Sequence, residues 1–336
     1  MLAGACLRKT LADRMGETMN EAAAFAEKYV KAYKPDASCW KEEAGYMLSA
    51  CVELYGAAKD TAARELVLSY LASSVSAEGE LPGLQDGSHD LAAASCGKAL
   101  FFAWDETGDE RYRKAADRLA ERLKTQPRCP CGNFWRKDTY PDQVRLDALY
   151  FCQSFRVEHD MRLGDKRMAK DVALQFQNAR KYLFDEEAGL YRPARNLKAH
   201  GLTRPEPFTL SSVGQLLMAL ADCVEKMDMQ LYEHYRALVD LFREAVFGLL
   251  PYAGKETGLF SAAITHQSSE NAAAGNAMVI GALLKGIRLG LLDEEKYLPS
   301  VRRAFELLTV RWPWDQEAKA EWAGPYLMAL AEYRRG

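Results

Sequence analysis

The chain has 336 residues, 49% of them hydrophobic, enough for one large core or two ordinary domains. A net charge of −3 leaves no electrostatic footprint for nucleic acid. No stretch approaches the roughly 18 apolar residues of a membrane-spanning helix, so neither a nucleic-acid nor a membrane partner is expected.

In chain order, the segment from Met1 to Met15 carries Arg8, Lys9 and Arg14 around one apolar patch. A secretory leader has a basic region ahead of a longer apolar run, so this reads as an N-terminal extension of a cytoplasmic protein. From residue 16 to 336 helical periodicity predicts a single domain, with strand signals nearly absent. Twelve helices are expected at about 16–34, 41–56, 59–75, 90–105, 109–125, 141–158, 165–184, 209–225, 229–250, 271–289, 294–309 and 320–335.

The odd-numbered helices are amphipathic. In the fifth, Tyr112, Ala115, Ala116, Leu119 and Leu123 form an apolar stripe opposite Arg113, Lys114, Asp117 and Arg118. The even-numbered ones are apolar almost all round, as in Leu216-Leu217-Met218-Ala219-Leu220-Ala221, and must be enclosed by protein. Six outer helices around six inner ones make an all-α (α/α)6 barrel. Connections from inner to outer helices are short. Those from outer to inner are long, at about 76–89, 126–140, 185–208, 251–270 and 310–319, and all emerge at one end. That mouth is the candidate pocket, and the helix N-termini beneath it favour anions.

The eight cysteines are scattered, most within apolar runs, and fit a reduced compartment. Cys129-Pro130-Cys131 lacks both zinc spacing and a second ligand pair, so no metal site is expected.

The loop from Gln126 to Tyr140 carries Arg128, Arg136 and Lys137 against Asp138, with Phe134, Trp135 and Tyr140 among them. Aromatic faces beside guanidinium groups suit a sugar ring that bears a carboxylate. A solvated basic loop with its aromatics packed on helix ends would read the same way. Pro141 can open the next helix, which sets Asp147 nearly two turns into an apolar inner helix. A carboxylate there has either a buried partner or a raised pKa, which makes it a general-acid candidate. An ion pair of Asp147 with Arg145 or Arg136 is the structural alternative. His89 and His266 fall in mouth loops and could contact a ligand. His159 and His234 read as surface residues, and His200 sits in a long loop. Trp312-Pro313-Trp314 reads as core packing near the mouth.

The residues Gly132-Asn133-Phe134-Trp135-Arg136-Lys137, Tyr140-Pro141-Asp142-Gln143 and Leu146-Asp147-Ala148-Leu149-Tyr150 resemble the signature of glycoside hydrolase family 105. That family and the related family 88 are the unsaturated rhamnogalacturonyl and glucuronyl hydrolases. Gly97-Lys98-Ala99-Leu100, Thr107-Gly108-Asp109-Glu110-Arg111-Tyr112, Gly189-Leu190-Tyr191, Gly258-Leu259-Phe260 and the run from Ala277 to Gly290 extend the resemblance in order along the chain. It implies a six-hairpin barrel, and no cofactor is expected. The implied substrate is an acidic oligosaccharide, a pectin, rhamnogalacturonan or glycosaminoglycan fragment ending in a 4,5-unsaturated uronic acid. The aspartate matching Asp147 protonates the double bond, water adds at C5, and the hemiketal rearranges to release the sugar. Trp135, Arg136, Tyr140, Gln143, Arg145, His89 and His266 are the expected substrate contacts, with Arg136 and Arg145 holding the carboxylate.

The chain also departs from the pattern. A second family aspartate is Ala92 here, with Asp90 and Asp86 the nearest substitutes and Asp90 the one expected to act with Asp147. Arg136 replaces a histidine and Arg145 a tryptophan. Thr209-Leu210-Ser211-Ser212-Val213-Gly214-Gln215 replaces a tryptophan- and arginine-bearing run, and Arg192-Pro193-Ala194-Arg195 a histidine-tryptophan segment. Three readings follow: a divergent uronide hydrolase, a catalytically inactive carbohydrate-binding or interaction protein on the same barrel, and an inverting glycosidase that opposes Asp147 with Glu270 or Glu321.

Overall fold

Helical spacing of apolar residues along nearly the whole chain produces twelve α-helices among the described residues. The computed structural model describes every residue except 1, 37–39, 83, 85–86, 199–204, 267–271, 313 and 315–316, and describes no side chain before Glu17. Asp86, His200, Glu270, Cys39 and Pro313 therefore lie outside the described residues.

The outer helices are α1 (Leu2–Ala32), α3 (Thr61–Ser74), α5 (Glu110–Lys124), α7 (Met168–Leu183), α9 (Tyr232–Leu249) and α11 (Glu294–Arg311). The inner ones are α2 (Glu42–Ala58), α4 (Ala92–Thr107), α6 (Leu146–Arg162), α8 (Leu210–Lys226), α10 (Ala273–Arg288) and α12 (Ala320–Arg335). Acidic caps open three outer helices. Asp60, Asp109 and Asp293 accept the N–H of Ala63, Arg111 and Lys296 at 3.0, 3.0 and 2.8 Å, each satisfying a donor that the first turn leaves open.

Each inner helix packs on the next, from α2 through α4, α6, α8, α10 and α12, and α12 closes back on α2. Small residues permit that closure. A methyl on Gly324 would sit 2.8 Å from the Cβ of Tyr46, and one on Gly214 would sit 2.6 Å from the Cβ of Met278. The alternation of inner and outer helices read from the sequence is the architecture observed, an (α/α)6 barrel with its long loops over the inner-helix N-termini.

Two boundaries differ from expectation. Helix α1 already begins at Leu2, so residues 2–15 continue a helix rather than precede one. Helix α6 starts at Leu146 and not at Pro141. Asp142 takes a left-handed backbone conformation (φ 56°), after which β1 (Gln143–Arg145) runs extended. Three further short strands, β2 (Phe184–Asp185), β3 (Leu190–Tyr191) and β4 (Ala194–Asn196), lie in the α7–α8 loop. β1 pairs antiparallel with β4, Gln143 opposite Asn196 and Arg145 opposite Ala194, while β2 pairs with β3. The strands were missed because two or three residues are too short a run for alternation to register. The pairing ties two mouth loops together and sets Asp147 in the first turn of α6 instead of nearly two turns in.

The far end of the bore is closed by charge. Lys285 Nζ donates to Glu53, Asp222 and Glu225 at 3.0, 2.8 and 3.1 Å. Lys98, Arg288, Arg335 and Glu332 complete the network. Glu53, Asp222 and Glu225 are close enough together to hold a cation, and the Lys285 ammonium is the cation they hold. Trp314 stacks on Tyr326 with centroids 4.0 Å apart and packs on Phe25, the core role read for it from the sequence. His159 is not a free surface residue: its Nε2 meets Asp117 at 2.9 Å, and Phe101 and Phe155 flank its ring. No helix among the described residues is long and apolar enough to cross a membrane.

Candidate active site

The mouth is organised around one buried guanidinium. Arg136, 5% exposed, lies on the α5–α6 loop with its plane 4.3 Å above the Phe151 ring. Its Nη1 donates to Asp90 Oδ1, its Nη2 donates to Glu42 Oε2 at 3.1 Å, and its Nε faces Asp147 Oδ2 at 3.6 Å. Three carboxyl groups from three segments thus meet one arginine.

Asp147 has a second and closer partner. Arg145 Nε and Nη2 bind its two oxygens at 3.0 and 3.2 Å, a bidentate pair that fixes both side chains. Arg145 is itself held, by Gln143 Oε1 at 3.2 Å and by the Tyr140 ring 4.3 Å below its guanidinium. Burial works against the Arg145 charge, but Asp147 restores it and holds the guanidinium pKa above its usual value. The sequence left a buried partner and a raised pKa as alternatives for Asp147, and the partner is what the geometry supplies. Arg136 and Arg145, expected to hold a ligand's carboxylate, are both engaged by the protein's own acids.

Glu42 is the residue that sequence reading missed. It opens α2 and its side chain is 34% exposed. Burial pushes its carboxyl up to about 7; Arg136 pulls it down, while Asp147, Glu321 and Glu43 add to the upward push. The available signal was the pair Glu42-Glu43 at the start of a largely apolar inner helix, the same signal that singled out Asp147. Asp90 is brought to the site although Ala92 is not acidic. Its Oδ1 also accepts the N–H of Ala92, the first residue of α4, at 2.9 Å.

A cleft of about 340 Å³ opens beside this cluster. Its lining includes the acids Glu42, Glu43 and Asp90 and the bases Lys41, Arg122, Arg136 and Lys137, along with Trp40. Lys137 Nζ rests 5.0 Å over the Tyr140 ring, and no ion pair joins it to a carboxylate among the described residues.

The other expected contacts are less central. His89 Nδ1 meets Asp138 Oδ1 at 2.6 Å, and Gln126 Nε2 donates to the carbonyls of His89 and Trp135 at 2.8 and 2.9 Å. These bonds stitch the α3–α4 and α5–α6 loops into one wall. The Trp135 indole N–H is buried without a partner among the described residues. His266 is exposed on the α9–α10 loop, and its hydrogen bonds, to Ser261, Ala263 and Thr265, stay within that loop.

Residues 12–326 match Glycosyl Hydrolase Family 88. The fold is shared with a family 105 glycoside hydrolase of Clostridium acetobutylicum ATCC 824, with TM-score 0.81 and 22% identity over 94% of this chain and 98% of that one. A family 88 glycosyl hydrolase from Bacteroides vulgatus follows at TM-score 0.75 and 15% identity, covering 96% and 99%. The unsaturated glucuronyl hydrolase of Bacillus sp. GL1, responsible for glycosaminoglycan degradation, superposes at TM-score 0.63 and 14% identity, covering 96% and 95%. These likenesses carry the fold, and the match along 12–326 carries the family: the chain belongs to glycosyl hydrolase family 88.

Proposed function

We propose that the protein hydrolyses acidic oligosaccharides that end in a 4,5-unsaturated uronic acid, by hydrating the double bond and so releasing the sugar behind it. The observation that carries this reading is the cleft itself. Carboxyl groups able to move protons share it with cations able to hold a uronate. Lys137, lining the cleft without a carboxylate partner of its own among the described residues, is the side chain suited to the ligand's carboxylate. The six free thiols among the described residues suit a reducing compartment, in keeping with action inside the cell on fragments already cut by a lyase. The test is a panel of lyase-generated oligosaccharides followed by the ultraviolet absorbance of the conjugated double bond. Loss of absorbance with release of a sugar is expected, and no loss on any member would overturn the reading.

One observation favours a second reading. Asp147, the residue matching the family's proton donor, is chelated by Arg145 and faced by Arg136. A carboxylate so held is a structural element in a barrel that binds its sugar without turning it over. Tight binding of the unsaturated oligosaccharides with no loss of absorbance would select this reading.

A further inference from the structure

We propose that Glu42 delivers the proton to the substrate's double bond, and that Asp90, beside it on the Arg136 fork, takes the proton of the attacking water. This rests on the hydration reaction read above and assigns its two proton carriers. The geometry of Arg136 divides the three acids into two groups. Glu42 and Asp90 occupy the two terminal nitrogens, one each, and both line the cleft. Asp147 meets the Nε edge of the same guanidinium, is bound bidentately by Arg145, and is not among the residues that line the cleft. Asp147 and Arg145 therefore steady the arginine, and Glu42 and Asp90 are presented by it to a ligand.

Glu42 also has the freedom a donor needs. Its Oε2 is taken by Arg136, and its Oε1 accepts no hydrogen bond among the described residues. The charges that face it are Arg136 from the α5–α6 loop, Asp147 from α6, Glu321 from α12 and Glu43 from its own helix, with Asp90 on the far side of the shared guanidinium. Lys41, Arg122 and Lys137 line the same cleft, yet burial, helped by Asp147, Glu321 and Glu43, outweighs the pull of Arg136 and favours the protonated form near neutral pH, where a general acid works best. Asp90 differs in kind: it accepts a helix N-terminal N–H as well as the Arg136 bond.

The step balances without any further reagent. The Glu42 O–H bond breaks as the π electrons of the double bond form a C–H bond at C4. Positive charge develops at C5 and on the ring oxygen. Water forms the C5–O bond and gives its proton to Asp90. Ring opening of the hemiketal then frees the second sugar, and solvent carries the proton from Asp90 back to Glu42. One water is consumed.

The experiment measures turnover of an unsaturated uronyl disaccharide by the parent protein, Glu42→Gln, Glu42→Asp and Asp147→Asn, with thermal melts to establish that each variant is folded. Glu42→Gln is expected to lower kcat by at least about a hundredfold with little change in KM and to lose the alkaline limb of the pH profile. Glu42→Asp should recover part of the rate and keep that limb. If Glu42→Gln stays within about threefold of the parent while Asp147→Asn is inactive, Asp147 is the donor; this assignment then falls and the reaction stands. A parent protein inactive on every unsaturated uronide would overturn both.

Discussion

Replacing Glu42 by glutamine should stabilise the protein above neutral pH and leave it unchanged in acid. The carboxyl ordinarily titrates at 4.5 and is pushed up to about 7 in the folded chain. The folded state therefore holds this proton more tightly than the unfolded state. The stability gained is fully present below the unfolded value and is lost as pH rises through the folded one. At about 1.4 kcal/mol per pH unit, the distance from 4.5 to about 7 sets a ceiling of about 3.4 kcal/mol. The side chain is 34% exposed, so water screens part of this and about 1.5–2 kcal/mol is the working figure. Glutamine mimics the neutral acid at every pH, and Arg136 keeps Asp90 and Asp147 as partners. Melting should therefore be the same for parent and variant near pH 4.5 and higher for the variant by about 2–3 °C near pH 8.5. Calorimetry or far-ultraviolet circular dichroism across that range measures it. Equal melting temperatures at both ends, or a variant that is less stable at high pH, would refute the claim that burial, with the neighbouring acids, raises the Glu42 pKa.

Other expectations follow from the same geometry. Asp147→Asn leaves the half-buried Arg145 without its bidentate partner and should cost about 2–3 kcal/mol in urea unfolding; a large loss of kcat with full stability would instead make Asp147 a direct participant. Lys137→Ala should raise KM for an unsaturated uronide about tenfold and leave binding of a neutral sugar alone, read by isothermal calorimetry. Lys285→Met removes the cation that faces Glu53, Asp222 and Glu225, and should cost about 3–5 kcal/mol at neutral pH, because buried carboxylates are left uncompensated. That loss should shrink in acid. Burial pushes Asp222 up, but Lys285 and Lys98 hold it below its usual range, so the stability it supplies is present above the unfolded value and fades as pH falls through the folded one.

The sequence by itself determined the barrel. Runs such as that from Ala277 to Leu284 have no polar face, and helices such as the one around Tyr112 and Leu119 have a sharp one, so burial on all sides or on one side was legible without coordinates. Loop lengths gave the mouth, because in a closed ring every outer-to-inner connection returns to the same end. Asp147, Arg136 and Arg145 were named from the mouth residues and Asp90 from the family resemblance, and the fold brings all four into one cluster.

Which acid has which partner was decided only by the tertiary structure. The short β1–β4 pairing shortens α6 and places Asp147 beside Arg145, two residues away, and no periodicity reports a strand of three residues. Glu42 lies 94 residues from Arg136 in the chain, and its raised pKa comes from burial and from charges on α6 and α12 that only the closed ring brings near. The same holds at the far end, where Lys285 and Glu53, 232 residues apart, read as ordinary polar positions near helix ends until six inner helices enclose them. Helix formation depends on neighbours three and four residues away, whereas an ion pair across the bore depends on ring closure, which local sequence does not encode.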